Sequence, residues 1–142
     1  MGKVMEKIKL TNSYDEERVL SGDWRPEQVR SVEIEALVDT GATMLILPAD
    51  VVAQLGVREQ GRRNVVYADG RKDEIPWIGG VRLTVLGREM IASALVVPAG
   101  TTALIGQIPL EELDLIVDPK SRELSVNPAS PDMPLLDLMA VA

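Results

Sequence analysis

The sequence predicts an all-β domain, and three observations support this prediction. The chain has 142 residues, of which 46% are apolar, so it is long enough to bury one hydrophobic core. The apolar residues are mainly Val, Leu, Ile and Ala, with no Phe, and this aliphatic composition favours strands. Apolar segments with strand-like alternation are separated by turn pairs such as Asp69-Gly70 and Gly87-Arg88. We therefore expect a single β-rich unit.

Residues 31–38 show a clear strand pattern, with Val32, Ile34, Ala36 and Val38 on one face and two glutamates on the other. Two short helices are predicted, because apolar residues recur at helical spacing in 49–55 and a brief helical segment fits 109–113. The remaining strands are predicted at residues 7–11, 44–47, 65–68, 81–85, 90–97, 115–118 and 124–126, with a charged hairpin arm at 71–74 and a short strand that ends at 104–106.

The end of the chain differs in composition from the rest. We expect residues 1–127 to form the folded domain and residues 128–142 to form a Pro-rich linker followed by an apolar tail. The turn between the last two strands is predicted at Pro119-Lys120. The sequence thus predicts one domain with a short C-terminal extension.

The composition excludes several classes of function. The chain has no Cys and no His, which rules out thiol and Ser-His nucleophiles, His-based metal sites and disulfides. We therefore expect carboxylates or Lys to carry any acid–base chemistry, with no metal and no cofactor. A net charge of −7 and a pI near 4.6 argue against nucleic-acid binding. The uncharged run 90–107 is interrupted by Pro98 and Gly100, so we expect no membrane span, and without a secretory signal we expect a cytoplasmic protein.

The candidate for chemistry is the segment Leu37-Val38-Asp39-Thr40-Gly41-Ala42, in which a carboxylate directly follows an apolar strand. Gly41 permits a tight backbone beside the acid, and the hydroxyl of Thr40 can hold a neighbouring loop. An Asp-Thr-Gly triplet can also be an ordinary strand-ending turn, since Asp and Gly are common turn residues. The apolar strand before it and Ala42 after it favour a catalytic Asp39.

Together with two later segments, this motif resembles the retropepsin-like, or retroviral-type, aspartic proteases. The matching segments occur in the same order: residues 37–42, the hairpin around Asp69-Gly70, and Leu104-Ile105-Gly106 followed by a short helix. The resemblance covers about residues 32–126 and is closer to the soluble bacterial members than to the viral ones. It implies a closed β-barrel, equivalent to half of an acid protease, with one or two short helices and a two-fold homodimer.

The resemblance also implies roles for individual residues. Asp39 would be catalytic, and it would act with Asp39 of a second copy because the chain contains a single Asp-Thr-Gly motif. The flap hairpin would close over a bound peptide or protein substrate. The active-site loop would be supported by Thr40, Gly41 and Ala42. The second motif would consist of Leu104, Ile105 and Gly106. The flap, which would bind the substrate, would include Tyr67, Ala68, Asp69 and Gly70.

Other interpretations fit parts of the sequence. Residues 39–43 also match the D-x-G-x-T phosphate loop of actin-like ATPases, but those folds need two large domains, which this length does not allow. A retropepsin-fold dimer could also bind peptides or act as a scaffold without cutting them, because fold does not guarantee activity. For the apolar tail we favour bracing of the dimer over occupation of the substrate groove.

Overall fold

The computed structural model describes residues 3–118 and 120–138, and strands are its main secondary structure. The strands are β1 (Val4–Asn12), β2 (Ser31–Val38), β3 (Leu45–Pro48), β4 (Glu59–Val66), β5 (Lys72–Val85), β6 (Arg88–Val97), β7 (Ala103–Ile105), β8 (Leu115–Asp118) and β9 (Glu123–Val126). The helices are α1 (Ser13–Leu20), α2 (Ala49–Leu55) and α3 (Gln107–Glu112), with a 3-10 turn at Pro26–Gln28.

Six of these strands close into a barrel. The order around the barrel is β1-β2-β7-β3-β6-β5, and the ring is complete because β1 pairs with β5 as well as with β2. β4 pairs with the first half of β5 and lies outside the ring, whereas β8 and β9 form a separate two-stranded sheet. The prediction of an all-β closed barrel is therefore confirmed.

Aliphatic side chains fill the barrel. In β5, Val81, Leu83 and Val85 are buried while Arg82 and Thr84 between them are only partly buried, which is the alternation expected of a strand with one face in a core. The largest fully buried aliphatic side chains are Ile8, Leu10, Leu45, Leu47, Leu55, Ile78, Leu83, Ile105 and Leu113. Each stabilises the fold by about 1.5–3 kcal/mol relative to an exposed side chain.

Two of the short helices were predicted from the sequence. α2 has the predicted bounds and ends at Gly56, whose φ of 69° is left-handed. α3 begins at Gln107, two residues before the predicted start, and ends at Glu112. α2 follows β3, whereas α3 directly follows the Leu104-Ile105-Gly106 motif at the end of β7.

The helix α1 was not predicted, because its sequence SYDEERVL has no apolar stripe. Its first turn is held instead by the buried side chain of Asn12, whose oxygen accepts hydrogen bonds from the amides of Tyr14 and Asp15. The amide nitrogen of the same side chain donates to the carbonyl of Leu55 at 2.8 Å and so ties α1 to α2.

Residues 72–85 form one continuous strand, whereas the sequence predicted a hairpin arm and a separate strand at 81–85. The pairing of β5 with β6 shifts register between Ile78 and Val81, and Gly80 in this bulge has a φ of 70°. A bulge bends its strand. β5 can therefore leave the barrel and continue into the hairpin with β4.

The connections differ in detail from the predictions. β4 ends at Val66, so Tyr67 and Ala68 lie in the hairpin turn and not in a strand. β8 and β9 form the predicted last hairpin, but Pro119 of its turn and residues 139–142 of the tail lie outside the described residues. No helix among the described residues is long and apolar enough to cross a membrane. The cytoplasmic location stays a prediction.

An ion pair between the buried Asp15 and the partly exposed Arg30 joins α1 to the start of β2. The carboxylate of Asp15 has no exposed surface and accepts two hydrogen bonds of 2.9 Å from the Arg30 guanidinium and one of 3.0 Å from the Arg30 amide. These hydrogen bonds hold the pKa of Asp15 below its usual value of 3.8. Because the pKa of Asp15 is lowered in the folded state, the pair contributes its full stabilisation at pH values above the usual pKa of 3.8. This contribution is lost as the pH falls through the lowered pKa.

We predict that Asp15→Asn lowers the free energy of unfolding by about 2 kcal/mol at neutral pH, because a neutral amide is a poorer partner for the Arg30 guanidinium. Denaturant titration followed by circular dichroism measures the change. The control is Glu27→Gln, which removes an exposed pair with Arg25 and should cost less than about 0.5 kcal/mol. Equal losses in the two variants would contradict a stabilising role for the buried pair.

Candidate active site

Asp39 lies in a loop that begins where β2 ends, and its backbone is held at both ends. Its amide donates to the carbonyl of Ile105 at 3.0 Å, and its own carbonyl accepts from the amide of Ala42 at 3.1 Å. The Asp39 carboxylate accepts a hydrogen bond of 2.9 Å from the amide of Gly41. The partly buried carboxylate is therefore oriented by the backbone of its own motif.

The second sequence motif packs directly against this loop. β2 and β7 run parallel, so Leu37 and Leu104 are partners in the sheet. Beyond β7, the amide of Gln107 donates to the Ala42 carbonyl at 2.8 Å, and the next amide in the chain donates to the carbonyl of Thr43 at 2.9 Å. These bonds connect the start of α3 to the Asp39 loop through the backbone alone.

Gly106 is required at this contact because there is no room for a side chain. A Cβ atom placed on Gly106 would lie 2.5 Å from the Met44 carbonyl oxygen and 2.7 Å from that of Ala42. Both neighbours are backbone atoms, which cannot rotate away as a flexible side chain could. The Gly of the Leu104-Ile105-Gly106 motif thus allows the close approach of two chain segments.

The predicted flap is the hairpin of β4 and β5. Its tip is closed by hydrogen bonds from the amide of Tyr67 to the Arg71 carbonyl at 2.8 Å and from the amide of Gly70 to the Tyr67 carbonyl at 2.9 Å. The Arg71 guanidinium forms an ion pair with Asp69 at 2.7 Å and lies 4.6 Å from the centre of the Tyr67 ring. The charged residues of the flap tip therefore hold it together.

One further hydrogen bond crosses the flap below its tip. The hydroxyl of Tyr67 donates to the carboxylate of Asp73 at 2.8 Å. This bond raises the pKa of Tyr67 and lowers the pKa of Asp73, since it stabilises the carboxylate and the neutral phenol together. Both groups keep their usual charge states at neutral pH.

A cleft of about 730 Å³ lies between the Asp39 loop and the flap hairpin. Among the described residues that line it, only Asp39 and Arg63 are charged. Most of the wall is apolar, with side chains from the loop, the flap and the barrel strands: Met44, Ile46, Val65, Ile75, Leu95 and Val97. A cleft with apolar walls and few charged groups suits a bound organic ligand or an extended peptide.

The structure brings some of the predicted site residues together at this cleft and places others elsewhere. Those that line it are Asp39, Gly41, Ala42, Tyr67, Ala68 and Leu104. Asp69 and Gly70 lie at the exposed flap tip, and Ile105 and Gly106 lie behind the loop, where they support it. In the described part of the chain, no cluster of three or more carboxylates is placed to hold a metal ion.

Sequence reasoning missed Arg63 and the apolar walls of the cleft. Arg63 and Val65 are two residues apart in β4 and so share a face, but the predicted strand began only at Val65. Ile46 and Leu95 belong to strands that were predicted, yet their place beside the cleft depends on the order of strands in the barrel. Extending the alternating pattern of β4 backwards would have identified Arg63.

Thr40 lies beside a different depression, which we call the α3–tail groove. Its walls come from α3, from β8 and from residues 135–138 of the tail, and its volume of about 1120 Å³ exceeds that of the cleft. Several large apolar side chains of this region are exposed, among them Ile108, Ile116 and Leu138, the last with 82% of its surface accessible. Thr40 and Asp39 thus border two different surfaces of the protein.

The tail is held against the domain by Asp114 and Arg88. The Asp114 carboxylate accepts hydrogen bonds from Asn127 at 3.0 Å, from the amide of Leu135 at 3.0 Å and from the hydroxyl of Ser130. These bonds, the one from Ser130 first, lower the pKa of Asp114. The buried Arg88 guanidinium donates to the carbonyls of Asp114 and Ser130. These contacts anchor the tail to the domain. The domain boundary at residue 127 stays a prediction.

We predict that Gly106→Ala lowers the free energy of unfolding by about 2 kcal/mol, because the added methyl group must push the Asp39 loop away. Thermal or denaturant unfolding measures the loss, and amide exchange at Gly41 and Ala42 should become faster. Gly79→Ala is the matched control, since its Cβ would meet nothing closer than 3.8 Å. If both variants were as stable as the parent, the close approach at Gly106 would not be required.

The comparison with known families agrees with this geometry. A family model described as "gag-polyprotein putative aspartyl protease" matches residues 27–119, well over half of the chain. The matched range contains the Asp39 loop, the flap hairpin and the Leu104-Ile105-Gly106 motif. A search of curated proteins finds no match. With its closed barrel and the contact between the two motifs, the chain belongs to this family of retropepsin-like aspartyl protease domains.

Proposed function

We propose that the protein is an aspartic endopeptidase that hydrolyses peptide bonds at a pair of Asp39 carboxylates, one from each chain of a homodimer. The observation that carries the proposal is the placement of Asp39. Its carboxylate is held by the Gly41 amide at the edge of an apolar cleft whose other wall is the flap hairpin. An extended peptide in this cleft could pair its backbone with the flap while its side chains contact the apolar walls.

The chemistry requires two carboxylates, and each chain supplies one Asp-Thr-Gly motif. Two carboxylates held near contact cannot both ionise readily, so the pair shares one proton. The ionised Asp39 takes a proton from water as the water oxygen adds to the carbonyl carbon, and the protonated Asp39 donates its proton to the carbonyl oxygen. The Asp39 that now holds the proton transfers it to the leaving nitrogen as the C–N bond breaks. The other Asp39 takes a proton from a hydroxyl group of the tetrahedral intermediate, so the pair again shares one proton.

The flap hairpin gives this mechanism a way to exclude bulk water. Electrostatic interactions between the carboxylates and the reacting atoms are stronger where water is excluded. The tip from Tyr67 to Asp73 is exposed and internally cross-linked, so it can move as one unit on the longer hairpin arms. Closure of this hairpin over a substrate is the conformational step that we assign to it.

We assign the α3–tail groove to the second copy of the chain. Thr40 borders this groove while the adjacent Asp39 borders the cleft. A partner seated in the groove would therefore lie next to the catalytic loop of this chain. The exposed leucines of the tail provide apolar surface for such a contact. Among residues 120–138 none lines the cleft, which supports bracing of a dimer by the tail over blocking of the substrate site.

We predict that the protein cuts peptides with an acidic pH optimum and that Asp39→Asn lowers kcat by about a thousandfold or more, because an amide cannot accept the proton from water. A mimic with a hydroxyl group in place of the scissile carbonyl should inhibit the parent protein. Cleavage of fluorogenic peptides measures both effects. Asp50→Asn, on the exposed start of α2, is the control and should leave the rate unchanged.

The Asp39→Asn variant also separates cutting from binding. Circular dichroism and sedimentation should show that its fold and its association state match those of the parent. If the parent bound peptides but cut none, the domain would be a peptide-binding or scaffolding module. Full activity in Asp39→Asn would mean that another residue, or a contaminating protease, does the chemistry.

We predict that Leu136→Ser combined with Leu138→Ser weakens dimerisation by about tenfold or more, because both side chains would be buried against the partner. Sedimentation at several concentrations measures the dissociation constant. Leu20→Ser is the matched control, since Leu20 is 80% exposed on α1 and does not line the groove.

Removal of residues 131–142 tests the role of the tail as a whole. If the tail braces the dimer, truncation should weaken association and lower the cleavage rate together. A higher cleavage rate would instead show that the tail blocks the substrate site. Unchanged association and rate would mean that the tail has neither role.

A further inference from the structure

The cleft contains a cation that the proposed reaction does not use. Arg63 of β4 lines the cleft, and its guanidinium lies 4.7 Å from the centre of the Trp77 ring. Trp77 is half-buried in β5, so it provides a fixed surface for the guanidinium. Among the described residues, no carboxylate forms an ion pair with Arg63.

The neighbouring Arg62 lies on the other face of the hairpin and, unlike Arg63, has carboxylate partners. Successive residues of a strand point to opposite faces, and Arg62 does not line the cleft. Its guanidinium is paired with Glu74 at 2.9 Å and with Glu59 at 3.4 Å. The outward arginine is thus neutralised by the protein, whereas the arginine of the cleft face is available to a ligand.

The position of Arg63 sets what it can contact. It lines the cleft together with Asp39, and with Met44 and Glu112 it also lines an adjoining depression, so it stands at one end of the cleft. A ligand that fills the apolar part of the cleft would therefore bring its next residues beside the guanidinium. Arg63 and Asp39 are the only charged groups on the described walls, so Arg63 alone can attract an anion there.

We infer that Arg63 is a specificity-determining residue that selects peptides with Glu or Asp a few residues from an apolar cleavage site. A guanidinium matches a carboxylate in geometry and charge, and its stacking on Trp77 leaves the N–H edge available. The inference rests on the proposed function, because it describes the substrate of that same site. In a two-fold dimer each end of the shared cleft has its own Arg63, so an acidic residue on either side of the cleaved bond is recognised.

The selection is modest in size and depends on salt. Arg63 is exposed at the rim, where a charge pair changes affinity by up to about fivefold. The preference falls as ionic strength rises, because counterions screen exposed charges. A simple loss of packing could change the size of the preference between acidic and basic peptides. It would not reverse the sign of that preference.

The test uses three peptides that differ at one position near an apolar cleavage site, which holds Glu, Gln or Lys. The assay runs at about pH 5.5, above the usual Glu pKa of about 4.3, so that the peptide carboxylate is ionised. We expect the parent protein to show the highest kcat/KM for the Glu peptide and the lowest for the Lys peptide. Arg63→Gln should remove this order and Arg63→Glu should reverse it, while Arg62→Gln should keep it.

The outcomes separate this inference from the proposed function. Equal kcat/KM values for the three peptides in the parent protein would overturn the role of Arg63 while leaving the protease intact. The same conclusion follows if Arg63→Gln keeps the order, or if Arg62→Gln removes it as well. No cleavage of any peptide by the parent protein would overturn the proposed function and this inference together.

Discussion

The rest of the site depends on the backbone contact between Gly106 and the loop at residues 42–44. This contact holds two chain segments closer than any side chain would permit, since even a methyl group on Gly106 would lie 2.5 Å from a carbonyl oxygen. The parallel pairing of β2 with β7 brings the segments to the same end of the barrel, and the hydrogen bonds at the start of α3 hold them there. The carboxylate of Asp39 thus has a defined position, held by the Gly41 amide and without a side-chain partner among residues 3–118 and 120–138.

This arrangement also explains why the loop can serve two surfaces. Adjacent residues of a tight loop point in different directions, so Asp39 borders the cleft while Thr40 borders the α3–tail groove. The chemistry that we propose takes place on one surface and the assembly that we propose takes place on the other.

The flap depends on the barrel in a comparable way. β5 is a core strand in its second half and a flap arm in its first half, and the bulge at Gly80 joins the two parts. The hairpin is thereby anchored in the core at its base, while its exposed tip is held by its own ion pair and hydrogen bonds. Trp77 lies in the flap half of β5, where its ring supports Arg63 at the cleft.

The sequence by itself determined the fold class, the position of β2, the helix α2 and the motif residues around Asp39, because each depends on local alternation, turn residues or capping. It did not determine α1, whose polar sequence is held by Asn12 and by the ion pair of the buried Asp15 with Arg30. It also could not show that Gly106 touches the Asp39 loop or that Arg63 lines the cleft. Those facts depend on strand order and long-range contacts, which the closed barrel decides and no local pattern encodes.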